Sequence, residues 1–292
     1  MTNKPSYAVI VSTRNGASTI RKTLNSILKQ TLSAVKICVV DDGSTDETAR
    51  ILTEFDAKPG VRTVRRSTQC YDIRRVPANF NLAHVSLGRE RTFDYLMISG
   101  DDCVYPTDYV NSIVSRMESD SATVVASGRP RTGSDILEEH SPSGSGRLIR
   151  YAFWCSVGGA YPVRVGWETW LLYRALQQGF KTELYVDLIY DHLRPRGSMH
   201  QFTYWGSAMY CLGYHPLYAL GRIAKSLAKT EVAPNGCVSM FGGYLMGLFG
   251  SSDAFVSAFE PSLRNFVKSS QAHRITGIVS TAVGRLSRRG HR

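Results

Sequence analysis

Two pairs of adjacent aspartates, Asp41/Asp42 and Asp101/Asp102, stand where apolar runs end, in ICVVDDGSTDET and YLMISGDDCVYP. In the first pair a carboxylate can accept hydrogen bonds from a base or ribose, and Gly43 permits the tight turn that follows. Carboxylate oxygens are hard ligands suited to Mg²⁺ or Mn²⁺, so an ion held by the second pair can bridge both phosphates of a diphosphate. Asp-Asp before a turn is also an ordinary structural feature, and the elements around each pair decide what it does.

Those elements alternate. Apolar, β-branched runs at Tyr7 to Ser12, Lys36 to Val40, Val61 to Arg65, Tyr95 to Ile98 and Thr123 to Ser127 are separated by helical patterns, which predicts βαβ units and a largely parallel sheet. Ile20, Leu24, Ile27 and Leu28 share one face of a helix that Ser18 can cap, and Ser44 to Glu47 reads as a capping box opening a second helix. Such doubly wound α/β sheets bind ligands outside the carboxyl ends of their strands, where both aspartate pairs fall. The polar stretch from Arg129 to Arg147 has no apolar period and reads as a mobile loop, a lid or a surface insertion. A helix is expected over ETWLLYRALQQG, closed by Gly179.

YAVIVSTRNGASTIRKTLNSILKQTL followed by ICVVDDGSTDETARIL resembles the opening of the family 2 glycosyltransferases, inverting enzymes of the GT-A fold. The similarity runs from about Ser6 to Gly197, so residues 1–197 are expected to form the nucleotide-sugar-binding catalytic domain. It implies that Thr13, Asn15, Asp41 and Asp42 serve the nucleoside, and that SGDD, with Gly100, lies where the family keeps its metal-binding D-x-D. Ser99 replaces the first Asp of that motif, leaving Asp101 to carry the metal with Asp102. RRVPANFNLAH resembles the donor-approaching stretch after the third strand, which assigns Asn81 and Arg74, or Arg75, to the donor. GWETWLLYRALQQGFK resembles the G-x-E-D segment and makes Glu168 the general base that takes the acceptor proton, with Trp167 and Trp170 as acceptor-side walls. YVDLIYDHLRPRG resembles the strand-then-His segment, where His192 completes the metal site and Arg194 and Arg196 neutralise the leaving group.

Residues 198–292 change character to aromatic, small and basic, and are expected to form amphipathic helices that either pack on the catalytic domain or associate with a membrane. From Leu188 onward there are twelve Lys/Arg against four Asp/Glu, most of the formal charge of +11. In one helix Leu217, Leu220, Ile223, Ala224 and Leu227 share a face opposite Arg222, Lys225 and Lys229, and Ile275 to Leu286 repeats the pattern. Basic amphipathic helices of this kind suit an anionic membrane surface. VSMFGGYLMGLFG is too short to span a bilayer core of ~30 Å.

Six cysteines without C-x-x-C spacing read as reduced, mostly buried thiols, and the early first strand leaves no room for a signal peptide. A cytoplasmic protein, peripheral at the membrane, is the expectation. Its activity is expected to be transfer from a GDP-sugar or UDP-sugar, GDP-mannose by resemblance, to a saccharide or lipid-linked saccharide, with Mn²⁺ or Mg²⁺. A sugar nucleotidyltransferase is the enzymatic alternative, but it carries a Gly- and Arg-rich loop where this chain has STRNGAST. A noncatalytic anionic-lipid or nucleic-acid binder is the other; nucleic acid is disfavoured because clustered carboxylates repel phosphates unless a cation lies between.

Overall fold

The computed structural model describes residues 4–67, 70–88, 93–132, 135–136, 141–194, 202–228 and 232–274. They fall into two compact units, one of residues 1–163 and 174–196 and the other of 164–173 and 197 onward.

The first unit begins as β1 (Tyr7–Thr13), α1 (Ile20–Leu28), β2 (Lys36–Asp41), α2 (Thr48–Asp56), β3 (Val61–Arg65), α3 (Arg75–Ser86) and β4 (Tyr95–Ser99). It continues through β5 (Cys103–Val104), α4 (Tyr109–Ser119), β6 (Thr123–Thr132), β7 (Asp135–Ile136), β8 (Arg147–Arg150) and α5 (Tyr151–Ser156). Helix α6 (Trp167–Gln177), whose residues up to Tyr173 group with the second unit, leads to β9 (Lys181–His192) of the first. The sheet order is β3-β2-β1-β4-β8-β6-β9-β5, with β7 on β6. Strands β3, β2, β1 and β4 run parallel, while β8 joins antiparallel to β4 and β6.

All five expected strands are present; in β1, β2 and β4 apolar residues on both faces leave them nowhere to go but the interior, while β3, buried only at Val61, is the edge strand. Tyr7, Val9 and Val11 pack toward α1, α2 and α4 in one large core, with Leu24, Ile27, Phe55 and Ile113. Ala8, Ile10, Cys38 and Val40, on the alternate positions, are equally buried.

Three local expectations fail. Thr19, not Ser18, stands at the start of α1, and the carbonyl of Gly16 receives the first N–H groups. Ser44 does not cap α2; its hydroxyl and N–H both go to Asp41, and Asp46 accepts the Thr48 N–H instead. The stretch from Arg129 to Arg147 is not a free loop where it is described. Residues 129–132 continue β6, and Ser143 and Arg147 are buried under hydrogen bonds from Tyr109 to Gly146 and from Tyr190 to Ser143 and Ser145. Gly179 closes α6 with φ 81°, as the pattern predicted.

The second unit holds α7 (Phe202–Cys211), α8 (Pro216–Ala228), α9 (Pro234–Phe249) and a helical segment over 261–274. Segment 164–173, expected to group with the catalytic domain, groups here because the Val165 N–H donates to Phe255 and Arg164 to Ala258. The expected tail helix from Ile275, and Lys229, lie outside the described residues. Among the described residues no helix is long and apolar enough to cross a membrane.

Leu24→Ala, which empties a position 1 % exposed, should lower the unfolding free energy by ~3 kcal/mol in urea titration. Cys38, Cys103, Cys211 and Cys237 are buried and Cys70 and Cys155 exposed, and burial pushes the Cys38 and Cys211 thiols up to about 11. A thiol reagent should therefore titrate two groups rapidly in the native protein and the other four only after denaturation.

Candidate functional site

Chain reversal beside β1 creates the crevice. The chain passes from β1 to β2 and β3 on one flank, then returns to β4 on the other, so the carboxyl ends of β1 and β4 part at a topological switch point. Thr13 closes β1 there and donates from Oγ1 to Asp101 Oδ2 at 2.6 Å. The approach requires Gly16: a Cβ at that position would lie 2.3 Å from Asp101 Oδ2 and 2.4 Å from Thr13 Oγ1. Helix α1 fixes the same loop, because Thr23 Oγ1 donates to the Asp101 carbonyl and accepts the Cys103 N–H. Ser145 Oγ accepts the Gly100 N–H, which gives the once-anonymous polar stretch a supporting role.

The other pair lies at the end of β2. Asp41 Oδ1 accepts both the N–H and hydroxyl of Ser44, at 2.9 and 2.5 Å. Its Oδ2 is buried and accepts no hydrogen bond among the described residues; the Arg65 guanidinium stands 3.7 Å away. That oxygen is an acceptor aimed at a donor the fold does not supply. Asp42 is differently used. Arg75 Nε lies 3.1 and 3.0 Å from its two oxygens, Arg66 is 3.8 Å away, and Arg14 donates to its carbonyl. Asn15, held at φ 50°, clamps the two loops by donating its N–H to Ser44 Oγ and accepting the Thr45 N–H.

Around the second pair the chemistry is cationic demand. Asp101 is almost fully buried; burial raises its carboxyl above the ordinary range, and Arg194 and Asp102 pull in opposite directions on it. Arg194 grips both oxygens at 3.1 and 3.2 Å and reaches toward Asp102 at 3.9 Å. Strand β5 pairs antiparallel with β9, setting Cys103 opposite His192 and bringing His192 Nε2 to 3.6 Å from Asp102 Oδ1. His192 Nδ1 is 2.7 Å from the Arg194 carbonyl, which can only accept, so Nδ1 carries the proton of the neutral ring. Nε2 is therefore the nitrogen that faces the carboxylate, as an N–H donor when the ring is an imidazolium or as a lone pair that a divalent cation can share with Asp102 when it is neutral. A carboxylate oxygen and an imidazole nitrogen 3.6 Å apart are a donor set that would suit Mn²⁺ or Mg²⁺. Cys103 completes the cluster of ligand types, but its buried thiol is held well above its ordinary pKa and donates to Asp102, which leaves oxygen and imidazole as the donors.

Several expected site residues are placed elsewhere. Arg74 turns to Asp72, and Arg75 is the arginine that meets Asp42. Both ends of the Asn81 amide are taken by the backbone of Tyr161, so Asn81 is a strut; Asn79, buried between Arg66 and Ser12, is the asparagine near the aspartates. Trp170 is buried and cannot offer a sugar-stacking face, whereas Trp167 is half-buried and Glu168 exposed in the first turn of α6. These three belong to the second unit. Arg196 lies outside the described residues. Of the two arginines the sequence offered, the structure selects Arg75; sequence reading missed Gly16, Asn79 and Ser145, whose partners lie far along the chain.

Comparison with known proteins agrees with this architecture. The profile of glycosyl transferase family 2 matches residues 8–180. The uncharacterized glycosyltransferase YibD of Escherichia coli K12 is 30 % identical over 120 residues, 41 % of this chain and 32 % of YibD. Chondroitin synthase of E. coli is 35 % identical over 66 residues, 22 % of this chain and 10 % of that protein, so the chain spans a third or less of either relative's length. Among solved structures, S. aureus TarS 1–349 with UDP-GlcNAc superposes with a TM-score of 0.57 at 15 % identity, covering 70 % of this chain and 64 % of TarS. The mannosyltransferase PcManGT from Pyrobaculum calidifontis, with GDP-Man and Mn²⁺, gives 0.56 at 16 % identity over 97 % of this chain and 81 % of the other. The fold is GT-A.

Gly16→Ala should break the Thr13–Asp101 contact and weaken binding of a nucleoside diphosphate ~10-fold or more, the scale of one buried hydrogen bond. Calorimetric titration with UDP and with GDP measures it; affinity within twofold of wild type for both nucleotides would remove the crevice from the binding site.

Proposed function

This chain belongs to glycosyl transferase family 2, and we propose that it is an inverting glycosyltransferase that moves a sugar from a nucleotide-diphosphate sugar to a hydroxyl group of a saccharide. The observation that carries this reading is a pair of polar sites at neighbouring strand ends: Asp41 Oδ2, buried with no hydrogen bond among the described residues, and Asp102 with His192, two metal-ligand types 3.6 Å apart. A base or ribose suits the first, and a divalent ion on a diphosphate suits the second.

Asp102 and His192 would hold Mn²⁺ or Mg²⁺, which when bound neutralises the charge that builds on the departing diphosphate. Arg194, already at Asp101, can turn its guanidinium to the same phosphates with two parallel N–H donors. Thr13 and the Ser44-braced Asp41 orient the nucleoside. Glu168, exposed at the start of α6, is the base we assign to the acceptor hydroxyl from the match of its segment to the family's; the deprotonated oxygen attacks the anomeric carbon as the bond to the diphosphate breaks on the opposite side. Attack from the face away from the diphosphate inverts the configuration.

GDP-mannose is the donor we favour, supported by the coverage of the mannosyltransferase PcManGT, with a UDP-sugar the other candidate. The acceptor we favour is a lipid-linked saccharide, met at the cytoplasmic face of a membrane where the protein binds peripherally; the surplus of cations beyond Leu188 supports an anionic surface over a neutral one.

Incubation with GDP-mannose and a panel of UDP-sugars should release nucleoside diphosphate from one of them with Mn²⁺ and not with EDTA. Glu168→Gln should bind donor normally but lower transfer at least ~100-fold. His192→Ala and Asp102→Asn should each raise the Mn²⁺ dissociation constant ~10-fold or more, read by electron paramagnetic resonance. Transfer by Glu168→Gln at wild-type rate removes the base assignment, and neither donor release nor nucleotide binding across the panel defeats the whole reading.

A further inference from the structure

Within the second unit, helix α9 carries no charged residue across Pro234–Phe249. One side of it is fully used. A Cβ on Gly206 of α7 would sit 1.8 Å from the Met240 carbonyl, and one on Gly243 of α9 would sit 1.9 Å from the Thr203 carbonyl, so glycines let the two backbones touch. That contact turns Val238, Phe241, Leu248 and Phe249, spaced at three, seven and one residues, to the opposite side, where Val238 is 72 % and Phe249 83 % exposed.

Helix α8 divides into three faces. Ala219 and Ser226 are buried, with Ile223 between them partly so; Leu217, Leu220, Ala224 and Leu227 form an exposed apolar face; Arg222 and Lys225 form an exposed basic one. The sequence pattern had joined Ile223 to the other apolar residues, but in the structure it faces inward and they do not. An apolar groove of about 240 Å³ runs between the helices, lined by residues including Leu220 and Ile223 of α8 and Phe241 and Leu248 of α9.

We propose that the α8–α9 face is a membrane-docking surface that inserts into the interfacial layer of an anionic bilayer, with Leu217, Val238, Phe241 and Phe249 among the acyl chains and Arg222 and Lys225 at the headgroups. It deepens the reading that the acceptor is met at a membrane and is independent of donor and metal. Charge chooses the occupant. A face of apolar side chains edged by cations matches the apolar depth and negative surface of such a bilayer. The chain beyond residue 274 would bring Arg285, Arg288, Arg289 and Arg292 against Arg222 and Lys225, and a second copy would set the same cations against themselves.

Full-length protein is to be sedimented with phosphatidylcholine vesicles and with vesicles containing about 30 % phosphatidylglycerol, a surface on which each cation contributes roughly fivefold to binding. Wild type should bind the anionic vesicles and not the neutral ones. Val238→Ser/Phe249→Ser should lower that partitioning ~10-fold or more, and Arg222→Glu/Lys225→Glu at least ~25-fold. Both variants should keep the circular dichroism of wild type, because all four positions are exposed. Absence of vesicle binding by wild type, undiminished binding by the serine variant, or a wild-type dimer in light scattering that this variant makes monomeric each overturns the proposal. Asp102→Asn should retain full vesicle binding, and the serine variant should release nucleoside diphosphate without vesicles as wild type does. Failure of docking and failure of the glycosyltransferase reading therefore give different results.

Discussion

Burying a carboxylate beside another carboxylate is the constraint from which the catalytic unit takes its form. Asp101 is enclosed at the mouth of the β1–β4 crevice with Asp102 next to it, and an unpaired charge in such a place is costly enough to dictate its surroundings. Thr13, Thr23, Gly16 and Arg194 are those surroundings: a hydroxyl for one oxygen, a clamp on the loop backbone, a missing Cβ, and a guanidinium across both oxygens. The strand order serves the same end, since only at a switch point can β1 and β4 present their last residues to one opening.

Strands and aspartate pairs were legible in the sequence because each is a local signal. A buried parallel strand is an apolar run, and a turn after it leaves its polar residue at the ligand edge. The misread residues depend on partners that no local pattern names. Ser44 looks like a cap until Asp41 is seen to take its hydroxyl, and Asn81 looks like a donor ligand until Tyr161, eighty residues away, takes both ends of its amide. The stretch from Arg129 to Arg147 looked unstructured because its anchors, Tyr109 and Tyr190, are contributed by α4 and β9. Arg74 and Arg75 are neighbours in sequence, and only the entry of α3 decides which of them meets Asp42.

The second unit obeys another packing rule. Where the sheet buries branched side chains, α7 and α9 approach through glycines, so sequence hydrophobicity there overstates what is buried. Apolar residues of α8 and α9 that a pattern would assign to a core stay at the surface, and one buried stripe on each helix suffices to hold it in place.

Ser99 is where the family resemblance and the geometry meet. The side chain is fully buried, with its hydroxyl donating to the Gly100 carbonyl and bonded to Tyr105 at 2.8 Å. A carboxylate there would be a third negative charge beside Asp101 and Asp102, displacing a tyrosine contact and facing a carbonyl that can only accept. In this chain another polar side chain approaches from the far side of the loop instead. His192 reaches Asp102 because β5, two residues long, pairs with the end of β9 and sets the imidazole opposite Cys103. The nitrogen it offers is fixed by the Arg194 carbonyl two residues on, and the guanidinium of that same Arg194 covers Asp101. One short segment after β9 thus sets both the nitrogen that faces Asp102 and the cation that holds Asp101. Under the proposed reading Asp101, engaged by Thr13 and Arg194, positions the loop, and Asp102 with His192 would take the ion.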